Sequence, residues 1–118
     1  MQPFRHLYLH IPFCRHKCGY CDFNAYAGMD RLMPEYVAAL ERELAFARAR
    51  FPFEELETVY LGGGTPTLMG AERLGSLMQR IRPLLAPGAE VSIEANPETV
   101  EPALLASLRA AEIGRAHV

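Results

Sequence analysis

The sequence predicts an α/β fold of three β/α units with parallel strands. Apolar residues alternate in short stretches, helical apolar stripes fall between them, and the order is strand, helix, strand, helix, strand, helix. That order joins parallel strands through right-handed crossovers.

His6 to Phe13 opens the series, with Leu7, Leu9 and Ile11 on one face and His6, Tyr8 and His10 on the other. A loop carrying three cysteines follows, running to about Leu32. Pro34 opens a helix at its first position, where a missing N–H costs nothing. Val37, Leu40, Leu44, Ala47 and Phe51 form its apolar stripe, and Pro52 ends it. Thr58-Val59-Tyr60-Leu61 is the second strand, running into Gly62-Gly63-Gly64-Thr65-Pro66-Thr67. Leu74, Leu77, Met78 and Ile81 mark the second helix, whose continuation Pro83 weakens. After a turn at Pro87-Gly88, Val91, Ile93 and Ala95 alternate with Ser92, Glu94 and Asn96 in a third strand, stopped by Pro97. Thr99 is the expected N-cap of a third helix carrying Leu104, Leu105 and Leu108.

Parallel strands covered on both faces read as continuous apolar runs. The first and third strands here keep a polar face instead. A curved sheet suits that pattern, with helices outside and a polar cavity inside, as in a piece of a β/α barrel. The edge of an open α/β sheet is the competing architecture. In a barrel, function gathers at the C-terminal ends of the strands. The cysteine loop, the glycine run and Glu94-Ala95-Asn96-Pro97 all fall there.

Composition narrows the class. The chain has 118 residues, half of them hydrophobic, 22% charged, with a net charge of −2. Disordered chains are poorer in apolar residues and more highly charged. A nucleic-acid module would carry a basic excess, whereas 12 basic residues face 14 acidic ones here. No apolar run reaches the ~20 residues of a membrane span, and Met1 to His6 lacks signal-peptide features. The expected compartment is cytoplasmic, with neither a nucleic acid nor a membrane as partner.

Cys14-x3-Cys18-x2-Cys21 is the strongest chemical signal. Clustered thiols in a reducing compartment are metal ligands or catalytic groups. Three thiolates suit a four-iron cluster with one iron left open to a small molecule. A Cys3His zinc site completed by His16 or His10 is the competing reading, although structural zinc sites usually combine two separated ligand pairs. Three ordinary reduced thiols are a further alternative. The glycine run has neither P-loop nor Gly-x-Gly-x-x-Gly spacing. Its exposed N–H and C=O groups suit an amino-acid carboxylate or amine, or it is a plain loop. Glu94 is either a solvated edge carboxylate or the partner of a ligand's ammonium group. Tyr8 by itself reads as a core tyrosine with a satisfied hydroxyl.

Together these residues resemble the radical S-adenosylmethionine superfamily. Tyr8-Leu9-His10-Ile11-Pro12-Phe13-Cys14, Tyr20-Cys21-Asp22-Phe23, Gly62-Gly63-Gly64-Thr65-Pro66-Thr67 and Ser92-Ile93-Glu94 resemble, more narrowly, the oxygen-independent coproporphyrinogen III oxidase-like proteins. The resemblance implies the N-terminal half of a partial (β/α)6 barrel. It implies that Cys14, Cys18 and Cys21 hold a [4Fe–4S] cluster whose open iron chelates the amino and carboxylate groups of S-adenosylmethionine. Gly63, Gly64 and Thr65 would then contact the methionine part, Tyr8 and Glu94 would make further cofactor contacts, and Tyr20 would pack near the adenine. In that chemistry an electron from the cluster yields a 5′-deoxyadenosyl radical. In the oxidase branch, that radical starts the conversion of a propionate to a vinyl group.

The oxidase branch resembles C-x3-C-x2-C-x-C, and this chain has Phe23 where the fourth cysteine stands. That matches the haem chaperone branch, which implies haem as a further ligand of the full-length protein, haem-accepting proteins as partners, and no oxidase activity. The oxidase is the second reading. Residues 1–111 form the expected N-terminal part of the core domain. Residues 112–118 are the expected non-native tail: Ile113-Gly114-Arg115-Ala116-His117-Val118 shows neither strand alternation nor an apolar core face. Its codons can also be written ATC GGA AGA GCA CAC GTC, then TGA, as in a common sequencing adapter. Sequencing the source locus past Ala111 should reveal a different continuation; the same tail and stop codon there would overturn this expectation.

Overall fold

The computed structural model describes residues 4–14, 26–27, 30–51, 55–95, 101–111 and 113–117. The strands are β1 (His6–Ile11), β2 (Phe13–Cys14), β3 (Tyr26–Ala27), β4 (Leu56–Gly63), β5 (Leu85–Glu94) and β6 (Arg115–His117). The helices are α1 (Met33–Arg50), α2 (Gly70–Ile81) and α3 (Pro102–Ala110). One sheet has the order β1-β4-β5-β6, all parallel, and β2 pairs with β3 in a second, two-stranded sheet.

The register explains which residues are buried. Leu7 pairs with Val59 and Val59 with Val91; Leu9 pairs with Leu61 and Leu61 with Ile93. Partners in register share a face, so these apolar sets form one layer. They pack in one core cluster with Met33, Val37 and Leu44 of α1, Leu74, Leu77, Met78 and Ile81 of α2, and Leu108 of α3. All three helices therefore cover the same face of the sheet. A doubly wound sheet would have helices on both faces and a reversal in its strand order. One-sided covering and sequential order make this a section of a β/α barrel, as the polar strand faces predict.

Several elements differ from the sequence reading. The first strand is broken at Pro12, which has no N–H for the ladder. α1 ends at Arg50, so Phe51 is not on its stripe; it sits at the C-cap and meets Phe4 edge-on at 5.6 Å. β5 begins at Leu85, ahead of Pro87-Gly88. Leu56 pairs with Leu85 and Thr58 with Glu90, so the intervening residues bulge out of the ladder, with Gly88 at φ 76°. α3 starts at Pro102 with Glu101 at the N-cap; Thr99, the expected cap, lies outside the described residues. Leu108 is buried while Leu105 is exposed, so α3 presents a narrower stripe than expected.

The C-terminal segment is also corrected. Ile113 is buried, its N–H donates to the Leu108 carbonyl at 2.9 Å, and β6 pairs with Ser92–Glu94. One apolar residue docks the chain after α3, and backbone groups do the rest without side-chain alternation. Pairing of this kind is indifferent to the tail's origin.

α2 carries the most buried face, with Leu74, Leu77, Met78 and Ile81 fully enclosed. Leu77→Ala should therefore cost about 2–5 kcal/mol through lost transfer energy and an unfilled cavity, read as a lower urea midpoint with an unchanged slope.

Candidate functional site

The face of the sheet away from the helices is polar and arranged in rows. His6 pairs with Thr58 and Thr58 with Glu90; Tyr8 pairs with Tyr60 and Tyr60 with Ser92; His10 pairs with Gly62. His6 Nδ1 lies 2.8 Å from the Thr58 hydroxyl. The Tyr8 and Tyr60 rings stack at 6.1 Å with 16° between planes. The Tyr8 hydroxyl lies 3.0 Å from His10 Nδ1. Tyr8 is 55% exposed, so it is not the core tyrosine that its isolated reading suggested.

Glu94 ends β5 beside the glycine run and is half-buried. Its Oε1 accepts the Gly63 N–H at 3.1 Å. The glycines make this approach possible. A Cβ on Gly62 would collide with Glu94 Oε1 and lie 2.6 Å from Tyr60 Cε1. Gly63 has φ 115°, and a Cβ there would lie 2.6 Å from His10 Nδ1. Burial, followed by the Glu94 charge, pushes the ionisation of both Tyr8 and Tyr60 above the ordinary tyrosine value. Both hydroxyls thus stay neutral beside the carboxylate.

The glycine run is also tied to the start of the cysteine loop. Gly64 N–H donates to the Ile11 carbonyl at 3.0 Å, and Thr65 N–H to the Phe13 carbonyl at 2.7 Å. This corrects the expectation of open N–H groups: those of Gly63, Gly64 and Thr65 are committed within the chain. Backbone carbonyls are the groups such a loop can turn to a ligand, and acceptors suit an ammonium rather than a carboxylate. Pro66, at the start of the turn Pro66–Met69, and Thr67 are buried, anchoring the run from its far side.

Cys14 is the last residue of β2, where the chain leaves the sheet. Cys18, Cys21, Tyr20, Phe23 and His16 lie outside the described residues. Among the described residues, no three metal-ligating side chains converge. The donor set itself, three thiols closely spaced in the sequence after β1, fits a soft-metal cluster. The glycine run and Glu94 lie at the same end of the sheet.

Three contributors were not legible in the sequence. Tyr60 reads as an ordinary strand tyrosine until register sets it against Tyr8. His10 has no ligand spacing, yet its ring lies over Gly63. Tyr36 of α1 donates its hydroxyl to the His10 carbonyl at 2.5 Å and meets Phe13 edge-on at 5.3 Å. Its signal was its position four residues before Leu40 on the apolar stripe.

Glycine replacements should separate backbone need from helix preference. Gly63→Ala should destabilise by about 1–3 kcal/mol through its left-handed φ and the His10 collision. Gly75→Ala, in open space on α2, should stabilise by about 0.5–1 kcal/mol. Urea unfolding of both variants checks the opposite signs.

A family model described as the Radical SAM superfamily matches residues 8–118. The chain is 50% identical over 115 residues to the "Heme chaperone HemW" of Mycobacterium tuberculosis, covering 93% of this chain and 29% of that protein. It is 40% identical over 111 residues to the protein of the same name from Bacillus subtilis, covering 92% of this chain and 29% of that protein. A solved structure of coproporphyrinogen III oxidase (HemN) from Escherichia coli superimposes with a TM-score of 0.85 at 32% identity, over 97% of this chain and 27% of that one. The chain thus spans less than a third of the length of these relatives. Among the described residues, no helix is long and apolar enough to cross a membrane. Matched by that family model over residues 8–118, the chain belongs to the radical SAM superfamily.

Proposed function

We propose that this chain is the cofactor-binding part of a radical SAM protein of haem metabolism, whose whole length binds haem and delivers it to acceptor proteins. The observation that carries the reading is the pair of hydrogen bonds from Gly64 and Thr65 to Ile11 and Phe13. They tie the glycine run to the start of the cysteine loop, beside Glu94.

In this reading Cys14, Cys18 and Cys21 hold a [4Fe–4S] cluster. When bound, it supplies one electron to the sulfonium of S-adenosylmethionine. Glu94 takes the cofactor's ammonium group, and carbonyls of the run at Gly63, Gly64 and Thr65 add acceptors. Tyr8 faces the same cavity with a neutral hydroxyl, so it adds no second negative charge beside Glu94. Tyr20 packs near the adenine.

Haem delivery is favoured over oxidation by two observations. Phe23 replaces the oxidase's fourth cysteine, and a phenyl ring neither ligates iron nor donates a proton. Identity to the haem chaperones from Mycobacterium tuberculosis and Bacillus subtilis is 50% and 40%, against 33% to the oxygen-independent coproporphyrinogen III oxidase of Bradyrhizobium diazoefficiens. The oxidase remains the second reading, supported by the solved-structure match. The cytoplasm is the proposed compartment.

Anaerobic reconstitution should give a brown protein with about four irons per chain and little zinc, and Cys14→Ala should abolish it. Stoichiometric zinc in a colourless protein would overturn the reading. A full-length protein with this Phe23 should bind haem and form no vinyl product from coproporphyrinogen III; multiple turnovers would establish the oxidase instead.

A further inference from the structure

We propose that Tyr36 is a positioning residue for the cluster: its one side chain grips the chain on both sides of Pro12 and so fixes the backbone that leads into Cys14. The inference deepens the proposed function and rests on it, because Cys14 is there a ligand of the [4Fe–4S] cluster.

At Pro12 the chain changes partners. Up to Ile11 it is paired with β4; from Phe13 it is paired with β3, Phe13 opposite Tyr26 and Cys14 opposite Ala27. Pro12 has no N–H to carry a ladder across the break. The direction in which β2 sets off therefore depends on the contacts that flank the break. The glycine run supplies them on one side, through the Gly64 N–H on the Ile11 carbonyl and the Thr65 N–H on the Phe13 carbonyl. Tyr36 supplies them from α1. Its hydroxyl donates to the His10 carbonyl at 2.5 Å, and its ring meets the Phe13 ring edge-on at 5.3 Å. One contact lies before the break and one after it, and Phe13 immediately precedes Cys14.

Tyr36 is suited to that task because it is itself firmly mounted. It lies in the first turn of α1, and Met33 and Val37 beside it are buried in the core. The core thus sets the place of that turn, and the turn sets the place of the ring. β1 stands at the end of the sheet order, so the Tyr36 hydroxyl takes a carbonyl there that a neighbouring strand would otherwise meet. Burial, then the Glu43 charge and Tyr8, push the ionisation of Tyr36 above the ordinary tyrosine value, so its hydroxyl remains a donor at neutral pH. Tyr36 acts on the cluster through the backbone of its first ligand. A ligand whose support is fixed before the metal arrives holds that metal more firmly than one on a loose segment.

The test compares the parent chain with two variants. Tyr36→Phe keeps the ring and removes only the hydroxyl. Ile81→Val removes one buried methyl from α2, outside this grip, and should lower stability by a similar small amount. Each protein is reconstituted anaerobically and exposed to excess EDTA, and the visible absorbance of the cluster is followed. Tyr36→Phe should lose its cluster about three- to tenfold faster than the parent, as expected for one hydrogen bond, and Ile81→Val at the parent's rate. A parent-like rate in Tyr36→Phe, or the same acceleration in Ile81→Val, would overturn the positioning role and leave the cofactor reading standing. Failure of the parent to assemble a four-iron cluster would overturn the cofactor reading and this inference with it. A second measurement needs no cofactor: amide hydrogen exchange at Gly64 and Thr65, taken relative to Leu61 in mid-β4 so that a general loss of stability cancels. That ratio should rise about three- to tenfold in Tyr36→Phe and stay unchanged in Ile81→Val; an unchanged ratio in Tyr36→Phe would refute the grip on the Pro12 break.

Discussion

The structure depends on the parallel register between β1 and β4. It sets Tyr8 opposite Tyr60 and His10 opposite Gly62, and it continues past the strand ends through the bonds from Gly64 and Thr65 to Ile11 and Phe13. Side chains alternate with a period of two, so a slip of one residue would turn every polar group of one strand into the helix layer. Leu9, Ile11 and Leu61 prevent that slip, since each is buried and would be moved to the open face. The apolar layer thus fixes the address of the polar one.

The glycines have a more particular role than flexibility. Gly62 and Gly63 lack the atoms that would occupy the space taken by Glu94, the Tyr60 edge and the His10 ring. The run brings side chains from three strands against one stretch of backbone. Its N–H groups are committed to that assembly, which changes the character of the loop from an anion cradle to a carbonyl-presenting surface. Backbone hydrogen bonds join the run to Ile11 and Phe13, the residues just before Cys14, and a backbone N–H of the same run holds the Glu94 carboxylate.

Much of this was legible in the sequence because burial here follows simple periods. Alternation at Leu7, Leu9 and Ile11, and at Val91 and Ile93, identified the helix-covered face; the spacing of Leu74, Leu77, Met78 and Ile81 identified the α2 stripe. The polar partners of the alternation pointed to a one-sided sheet, and the motifs to its C-terminal end. What stayed hidden depends on pairing between distant residues. Tyr60 gains its meaning only from the register with Tyr8 and the end of β5. Tyr36 matters through a backbone carbonyl, which has no sequence signature. Pro87-Gly88 reads as a turn because the residues demand one; the ladder resumes on both sides of it. Ile113 carries its segment by itself, and a single apolar residue makes no pattern.

β1 stands at one side of the four-stranded sheet. In a parallel strand, alternate residues aim their peptide groups at opposite neighbours; Ile11 aims its carbonyl at β4, so His10 aims its carbonyl outward. That outward acceptor is the one taken by the Tyr36 hydroxyl. A foreign strand adding to this side would need it, and would have to displace a tyrosine anchored in the first turns of α1. The helix thereby acts as a stopper against aggregation at the point where an intruding strand would come nearest the glycine run.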